Sequence, residues 1–221
     1  MNRTLCQGKK ITIRSSIRTT RLRLTVRPTG QIILSIPLFC SRRTALNFLN
    51  EHRDWIAQRL KEQTPSLTFS NGMTLSVLGQ QVTVHHDIQH RGTVIRDGNL
   101  LVGGDPAFIN RRISDFIKRK TADYIENKAR ELALKTGRSI HRITLKDTTS
   151  RWGSCSARHN LNFCWRLGMA PLFVLDYIIA HEVAHLSEMN HGPRFWRLVS
   201  DLCDSRAEAE IWLRRNGHTL R

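Results

Sequence analysis

The segment DYIIAHEVAHLSEMNHGPRFW, residues 176–196, constrains the fold of this chain more than any other. Its first half is apolar enough for a core helix, yet it carries His181, Glu182 and His185. Helical residues four apart share a face, one turn apart. The two imidazoles therefore converge, and their ring nitrogens can meet one metal ion at about 2.0–2.1 Å. Glu182, next to His181, points beside such an ion rather than at it, where a carboxylate can take a proton from metal-bound water. The arrangement is H-E-x-x-H.

Two protein ligands are too few for a catalytic zinc site, which has three plus a water. His191 is the third candidate, six residues after His185. A straight helix cannot deliver it, so the chain must bend. "EMNHGP" is expected to supply the bend: Asn190 tolerates the left-handed conformation, and Gly192-Pro193 breaks and restarts a helix. The spacing matches the metzincin pattern H-E-x-x-H-x-x-G-x-x-H, but Glu188 stands where that pattern has glycine, so the chain is not assigned to the metzincins. Glu188 reads as a turn or surface residue and is the weaker ligand candidate. A helix that merely happens to carry two histidines would not explain the third histidine or the turn residues. Agreement across these levels favours a site.

The net charge of +17 is unevenly spread. The first 50 residues hold ten Lys or Arg, and the first acid is Glu51. Such asymmetry points to a polyanionic partner, with a solubilising basic face as the alternative. No apolar run approaches the roughly 20 residues that span a bilayer. The start, MNRTLCQGKKITIR, lacks the apolar middle of a secretory signal. The five cysteines are odd in number and include no C-x-x-C, which argues against a disulfide framework. A reducing, cytoplasmic location with no membrane partner is expected.

TRLRLTV alternates strictly, with Leu22, Leu24 and Val26 on one face and Arg21, Arg23, Thr25 and Arg27 on the other, as a half-buried strand does. With the turn at Pro28 and Gly30 and the run QIILSIP, residues 20–37 read as a β-hairpin. Ser41 can cap a helix to about Glu62, with Ala45, Phe48, Leu49, His52, Ile56 and Leu60 on one stripe. Four strands are expected over 73–103, the last two joined at Asp97-Gly98. A helix follows from about 106 to 136, stopped by Gly137. HRITLKD and NLNFCWRL read as strands around the turn-rich TTSRWGSCSARH. Pro171 and Pro193 open two further helices. The expected class is α+β. A basic β-rich N-terminal region with one helix, 1–103, precedes a zincin-like helical domain with a small antiparallel sheet, 104–221.

Three other features compete for chemistry. Ser154 and Cys155 in SRWGSCS invite a nucleophile reading, but the segment is better read as shaping a strand edge beside the metal helix, able to hold an extended substrate by backbone pairing. Trp152 and Gly153 serve packing equally well. Arg151 can stabilise an anionic transition state, although a surface role is the better reading. His85, His86, Asp87 and His90 suggest a second metal site, but neighbouring strand residues point to opposite faces, so a polar hairpin end is expected. Trp55, Trp165, Trp196 and Trp212 fit helix or strand cores.

SRWGSCS, NLNFCWRL, DYIIAHEVAHLSEMNHGPRFWRLV and the terminal IWLRRNG resemble the YgjP-like metal-dependent hydrolase family. RLRLTVRPTGQIILSIP and FLNEHRDWIAQRL extend the likeness over nearly the whole chain. The family's usual H-E-L-A-H is H-E-V-A-H here, with Val183 for leucine. Similarity to SprT-like and WLM proteases is more distant and rests on the metal helix alone. The resemblance implies a zincin-like catalytic half with zinc (Zn2+) on His181, His185 and His191, Glu182 as base, and a peptide or protein substrate. Two alternatives stand beside a metallopeptidase: a metal-dependent nucleotide (phosphoanhydride) hydrolase, and a nucleic-acid-binding protein whose metal is structural. No cysteine lies at ligand spacing to close a structural site, which favours catalysis. The basic N-terminal half can recruit nucleic acid or a nucleotide under any of these readings.

Overall fold

The alternating sequence near the N-terminus builds a four-stranded sheet from β1 (Arg3–Cys6), β2 (Lys9–Ser16), β3 (Arg23–Val26) and β4 (Ile32–Pro37), in the order β1-β2-β4-β3. The computed structural model describes residues 3–6, 9–17, 19–26, 30–61, 68–148 and 150–220. The expected hairpin is β3 and β4, with Leu24 opposite Leu34 and Val26 opposite Ile32. Leu24 and Val26 are half-buried while Arg21, Arg23 and Thr25 are exposed, as the alternation requires. Arg27 and Pro28 lie outside the described residues.

Two helices cover this sheet where one was expected: α1 (Arg42–Glu51) and α2 (Arg53–Lys61). The interruption is a single residue, His52, whose ring Nδ1–H donates to the Phe48 carbonyl at 2.9 Å. The backbone bonds from His52 N–H to the Phe48 carbonyl, at 3.2 Å, and from Ile56 N–H to the His52 carbonyl, at 2.9 Å, continue across it. Ser41 caps α1 as anticipated, its Oγ accepting from Thr44 N–H at 3.1 Å. The expected end at Glu62 falls outside the described residues. Ile11, Ile32 and Leu34 from the sheet meet Ala45, Leu49 and Ile56 from the helices in one core. Burying each of the larger side chains contributes about 1.5–3 kcal/mol. These elements form one compact unit, Met1–Leu67; Thr68–Arg221 form a second.

The second unit opens with β5 (Thr74–Val77), β6 (Gln80–Asp87), β7 (Thr93–Arg96) and β8 (Asn99–Gly103), in the order β5-β6-β8-β7. Asp97 and Gly98 both have positive φ, 49° and 74°, as the tight turn between β7 and β8 demands. Both four-stranded sheets share one topology. Each sets two hairpins side by side, with the second strands running parallel. The division that the order of strands and helices suggests near residue 103 lies directly after β8.

Asp105 caps the approach to α3 (Ile109–Lys135), which stops two residues before Gly137, where φ is 65°. Ile113, Phe116, Ile117, Ile125, Ala129 and Leu132 are buried along its inner face. Next come β9 (Arg142–Lys146), β10 (Gly153–Cys155) and β11 (Asn160–Cys164), in the order β10-β11-β9. The small sheet is mixed rather than antiparallel. The short β10 reverses the chain between the two longer strands, so β9 and β11 run parallel. Three helices complete the unit: α4 (Leu172–Ala184), α5 (Pro193–Leu202) and α6 (Arg206–Asn216). Among the described residues no helix is long and apolar enough to cross a membrane.

Candidate metal centre

Helix α4 is buried on nearly every side, because Val174, Leu175, Ile178, Ile179, Ala180, Val183 and Ala184 leave it no polar stripe. Its last turn carries His181 and Glu182, and His185 is its C-cap. The ring centroids of His181 and His185 lie 5.0 Å apart, as helical spacing requires. The chain then turns back through bonds from Leu186 N–H to Val183 and from Ser187 and Glu188 N–H to Ala184. Asn190 is not left-handed, contrary to the expectation, and Gly192 is extended (φ −81°, ψ −177°). The tightened helix end and a bond from Gly192 N–H to the Asn190 carbonyl, at 2.8 Å, already reverse the chain. Pro193 starts α5 as expected.

This turn carries His191 back over the helix. Its ring centroid is 5.1 Å from His181 and 4.7 Å from His185, and one nitrogen from each of the three rings lies within 4.8 Å of the others. His191 Nε2 and His181 Nε2 are 3.2 Å apart. A tetrahedral ion at about 2.0–2.1 Å from each nitrogen would set them about 3.3 Å apart. His185 Nδ1–H donates to the Glu188 carbonyl at 3.0 Å, which fixes the tautomer and leaves Nε2 its lone pair. Glu188 contributes that backbone carbonyl, not its carboxylate. Burial, followed by the neighbouring imidazoles, lowers the pKa of His181 to about 4. Burial also lowers that of His185. Neutral imidazoles are what a metal requires of its ligands. The donor set fits a divalent cation with nitrogen ligands.

Phe195, fully buried, packs its ring on all three imidazoles at centroid distances of 4.5–5.0 Å. Trp196 touches His181 and His191 and carries the Arg206 guanidinium 3.7 Å from its ring centroid. Arg206 in turn pairs with Glu210, which accepts from Tyr177 O–H at 2.9 Å. Trp165 and Trp212 are also buried or half-buried, whereas Trp55 is 38% exposed.

Glu182 is only 5% exposed, and its Oε2 is buried with no hydrogen-bond partner. Desolvation raises its pKa to about 8, opposed by the charge of Arg151. A carboxyl poised near neutrality suits proton transfer. Strand β10 lies against it: a Cβ at Gly153 would sit 2.6 Å from Glu182 Cγ. Trp152 O accepts from Cys164 N–H at 2.8 Å, and Ser156 N–H donates to Asn160 O at 3.0 Å. Ser154, opposite Asn162, therefore bonds inward to β11, and the backbone groups of Gly153 and Cys155 point to the open edge. No described strand pairs with that edge. A cleft of about 550 Å³, bounded by Trp152, Tyr177, Ile178, Leu213 and Arg214, opens onto His181 and Glu182.

The competing candidates separate on geometry. Cys155 has its thiol pKa pushed up to about 11, by burial and by Glu182, which suppresses the thiolate. Ser154 Oγ accepts from Asn162 Nδ2 at 3.2 Å, a strand-to-strand bond. His86 Nε2 bonds the Gly104 carbonyl and Asp87 accepts from Gln89 N–H, so the 85–90 segment is a hairpin end. The close contact between Gly153 and Glu182 leaves one trace in the sequence, the glycine in SRWGSCS.

The family model for the YgjP-like metallopeptidase domain matches residues 20–216. The chain belongs to the YgjP-like family. Its match takes in α4 and the turn that returns His191, as well as β10. No curated protein and no solved structure matches the chain. Membership in a metallopeptidase family points to metal-dependent hydrolysis, and the three-histidine cluster is where a metal can bind.

Proposed function

We propose that the chain is a zinc-dependent peptidase, with His181, His185 and His191 as metal ligands and Glu182 as general base. The observation that carries this reading is the buried, unpartnered Glu182 carboxyl, set between a three-imidazole cluster and the open edge of β10. A bound zinc ion supplies a Lewis acid that lowers the pKa of its water to about 7. An extended peptide pairs with the free backbone groups of Gly153 and Cys155, which brings its carbonyl beside α4. One side chain of that peptide enters the cleft walled by Trp152, Tyr177 and Leu213. Glu182 Oε takes a proton from the attacking water as the C–O bond forms, then returns it to the leaving amine nitrogen as the C–N bond breaks. Arg151, whose charge already reaches Glu182, keeps that carboxyl ionisable.

The four described free thiols, Cys40, Cys155, Cys164 and Cys203, accord with a reducing cytoplasm, and that location belongs to the same reading. Elemental analysis of purified protein, with digestion of casein and of a peptide library, tests the proposal. The expected result is about one zinc per chain and new amino termini that cease to form when a chelator removes the metal. A protein without zinc, or a zinc protein that cleaves nucleoside triphosphates and no peptide, would overturn it.

A further inference from the structure

A larger cleft lies away from the histidine cluster, between α3 and the β7–β8 end of its sheet. It occupies about 770 Å³ and is lined in part by Arg91, Arg111, Arg112, Arg119 and Asp115. A second hollow of about 660 Å³, along β7, continues it; the two share Thr93, Phe116 and Arg119. On α3 the lining falls at Arg111, Arg112, Asp115, Phe116, Arg119 and Lys120, which is one helical face, with Phe108 just ahead of it.

The charge of this groove is uncompensated. Asp115 is shared between Arg111 at 3.6 Å and Lys118 at 3.8 Å. The other acid, Asp97, sits beside Arg96. Among the described residues no acid pairs with Arg91, Arg112 or Arg119. The Arg112 guanidinium also lies close against the Gly104 backbone. His90 Nε2 is buried at the same end with no hydrogen-bond partner. From Arg111 to Lys120 the helix rises about 14 Å, the reach of several phosphates spaced about 3.4 Å or more along a strand.

Apolar side chains decide which polyanion fits. Phe108 is 47% exposed, Ile88 65% and Val94 43%, and all three line this groove. A polyphosphate or a polyglutamate chain has little apolar surface to place on them. A duplex hides its bases in the stack, whereas a single strand offers base faces alongside its phosphates, and aromatic or apolar platforms beside cations are how such strands are held. The geometry points to a binding groove for single-stranded nucleic acid between α3 and β7. Arg112, Arg119 and Lys120 hold the backbone, and Phe108 receives a base. This site is distinct from the arginine face of β3, where the sequence alone had placed the positive charge.

Anisotropy of a labelled oligothymidylate, titrated with the full chain at several salt concentrations, tests the inference. The Arg119→Ala/Lys120→Ala double variant alters only exposed side chains and should fold; circular dichroism and zinc content check this. It should bind at least about tenfold more weakly, and the log–log salt slope should fall by about 0.7 for each phosphate that is no longer neutralised. Arg112→Ala should act in the same direction, and Phe108→Ala should weaken binding without changing the slope. Arg21→Ala/Arg23→Ala should leave affinity near wild type. Unchanged affinity and slope in the groove variants, or loss confined to the Arg21/Arg23 variant, would overturn the groove. Displacement of the oligothymidylate by duplex DNA or polyglutamate as readily as by unlabelled oligothymidylate would overturn the single-strand assignment, and so would wild-type protein that fails to bind.

Discussion

Gly153 lies so close to Glu182 that a Cβ there would fall 2.6 Å from Cγ and 2.7 Å from Cδ of the glutamate. The open strand edge and the buried carboxyl are thus one structural feature. Nothing larger than glycine lets β10 run past α4 with Glu182 in place. Gly153→Ala should displace the carboxyl and cost about 1–3 kcal/mol of stability through overpacking. Peptidase activity should fall on the order of ten- to a hundredfold, since small misplacements of a reacting group carry costs of that size. Zinc content should not change, because the methyl group faces the glutamate and not the histidines. Chemical denaturation, metal analysis and steady-state kinetics on one preparation would check all three.

Glu182→Gln asks a different question of the same position. The amide keeps the shape and fills the same buried space but cannot accept the proton. Zinc should be retained while hydrolysis drops on the order of a hundredfold or more. A rate close to wild type would remove Glu182 from the chemistry and leave its burial unexplained.

The third prediction concerns how the histidines are delivered. His181 and His185 come from one helix, while His191 depends on the return turn and is exposed. His181→Ala and His185→Ala should each abolish stoichiometric zinc. His191→Ala should leave two ligands and weak, readily dialysed metal. Wild-type zinc content in all three variants, measured by elemental analysis after dialysis, would place the metal elsewhere.

The convergence of the three histidines was legible because helical periodicity alone puts His181 above His185, and because a third histidine six residues on needs only that the chain reverse. How it reverses was not legible. Several backbone routes give the same displacement, and the chain uses a tightened helix end where a left-handed Asn190 was expected. Local alternation was enough for the β3–β4 hairpin, and Asp97-Gly98 for the β7–β8 turn. Strand β10 is three residues long, and its partner β11 decides it more than its own sequence does. The Gly153–Glu182 contact and the α3–β7 groove both join segments distant in sequence, so neither leaves a periodic signature. The break at His52 is a single residue within an otherwise continuous helical stripe, and the stripe gives no sign of it.

A last prediction concerns the end of the chain and its pH response. Arg166 Nε donates to Asp147 Oδ1 at 2.8 Å, and its Nη1 donates to the Leu220 carbonyl at 3.3 Å, so one guanidinium ties the β9 loop to the C-terminal turn. The arginine side chain is 13% exposed and the aspartate 56%. Hydrogen bonding from Arg166 is the foremost reason that the Asp147 carboxyl titrates below its ordinary value, which is about 3.9 in an unfolded chain. A depressed carboxylate contributes stability that is fully present above the unfolded pKa and is lost as pH falls through the lower folded value. Asp147→Asn should therefore destabilise the folded chain near neutrality by on the order of 1 kcal/mol, since solvent screens the exposed partner even as Arg166 is left unpaired. The gap between variant and wild type should hold down to about pH 4 and close below it as Asp147 of the wild type becomes protonated. Urea denaturation of both proteins between about pH 7 and pH 3 would follow it across the carboxylate range. A gap that stays constant into the acid range would mean that the aspartate acts through packing and not through its charge.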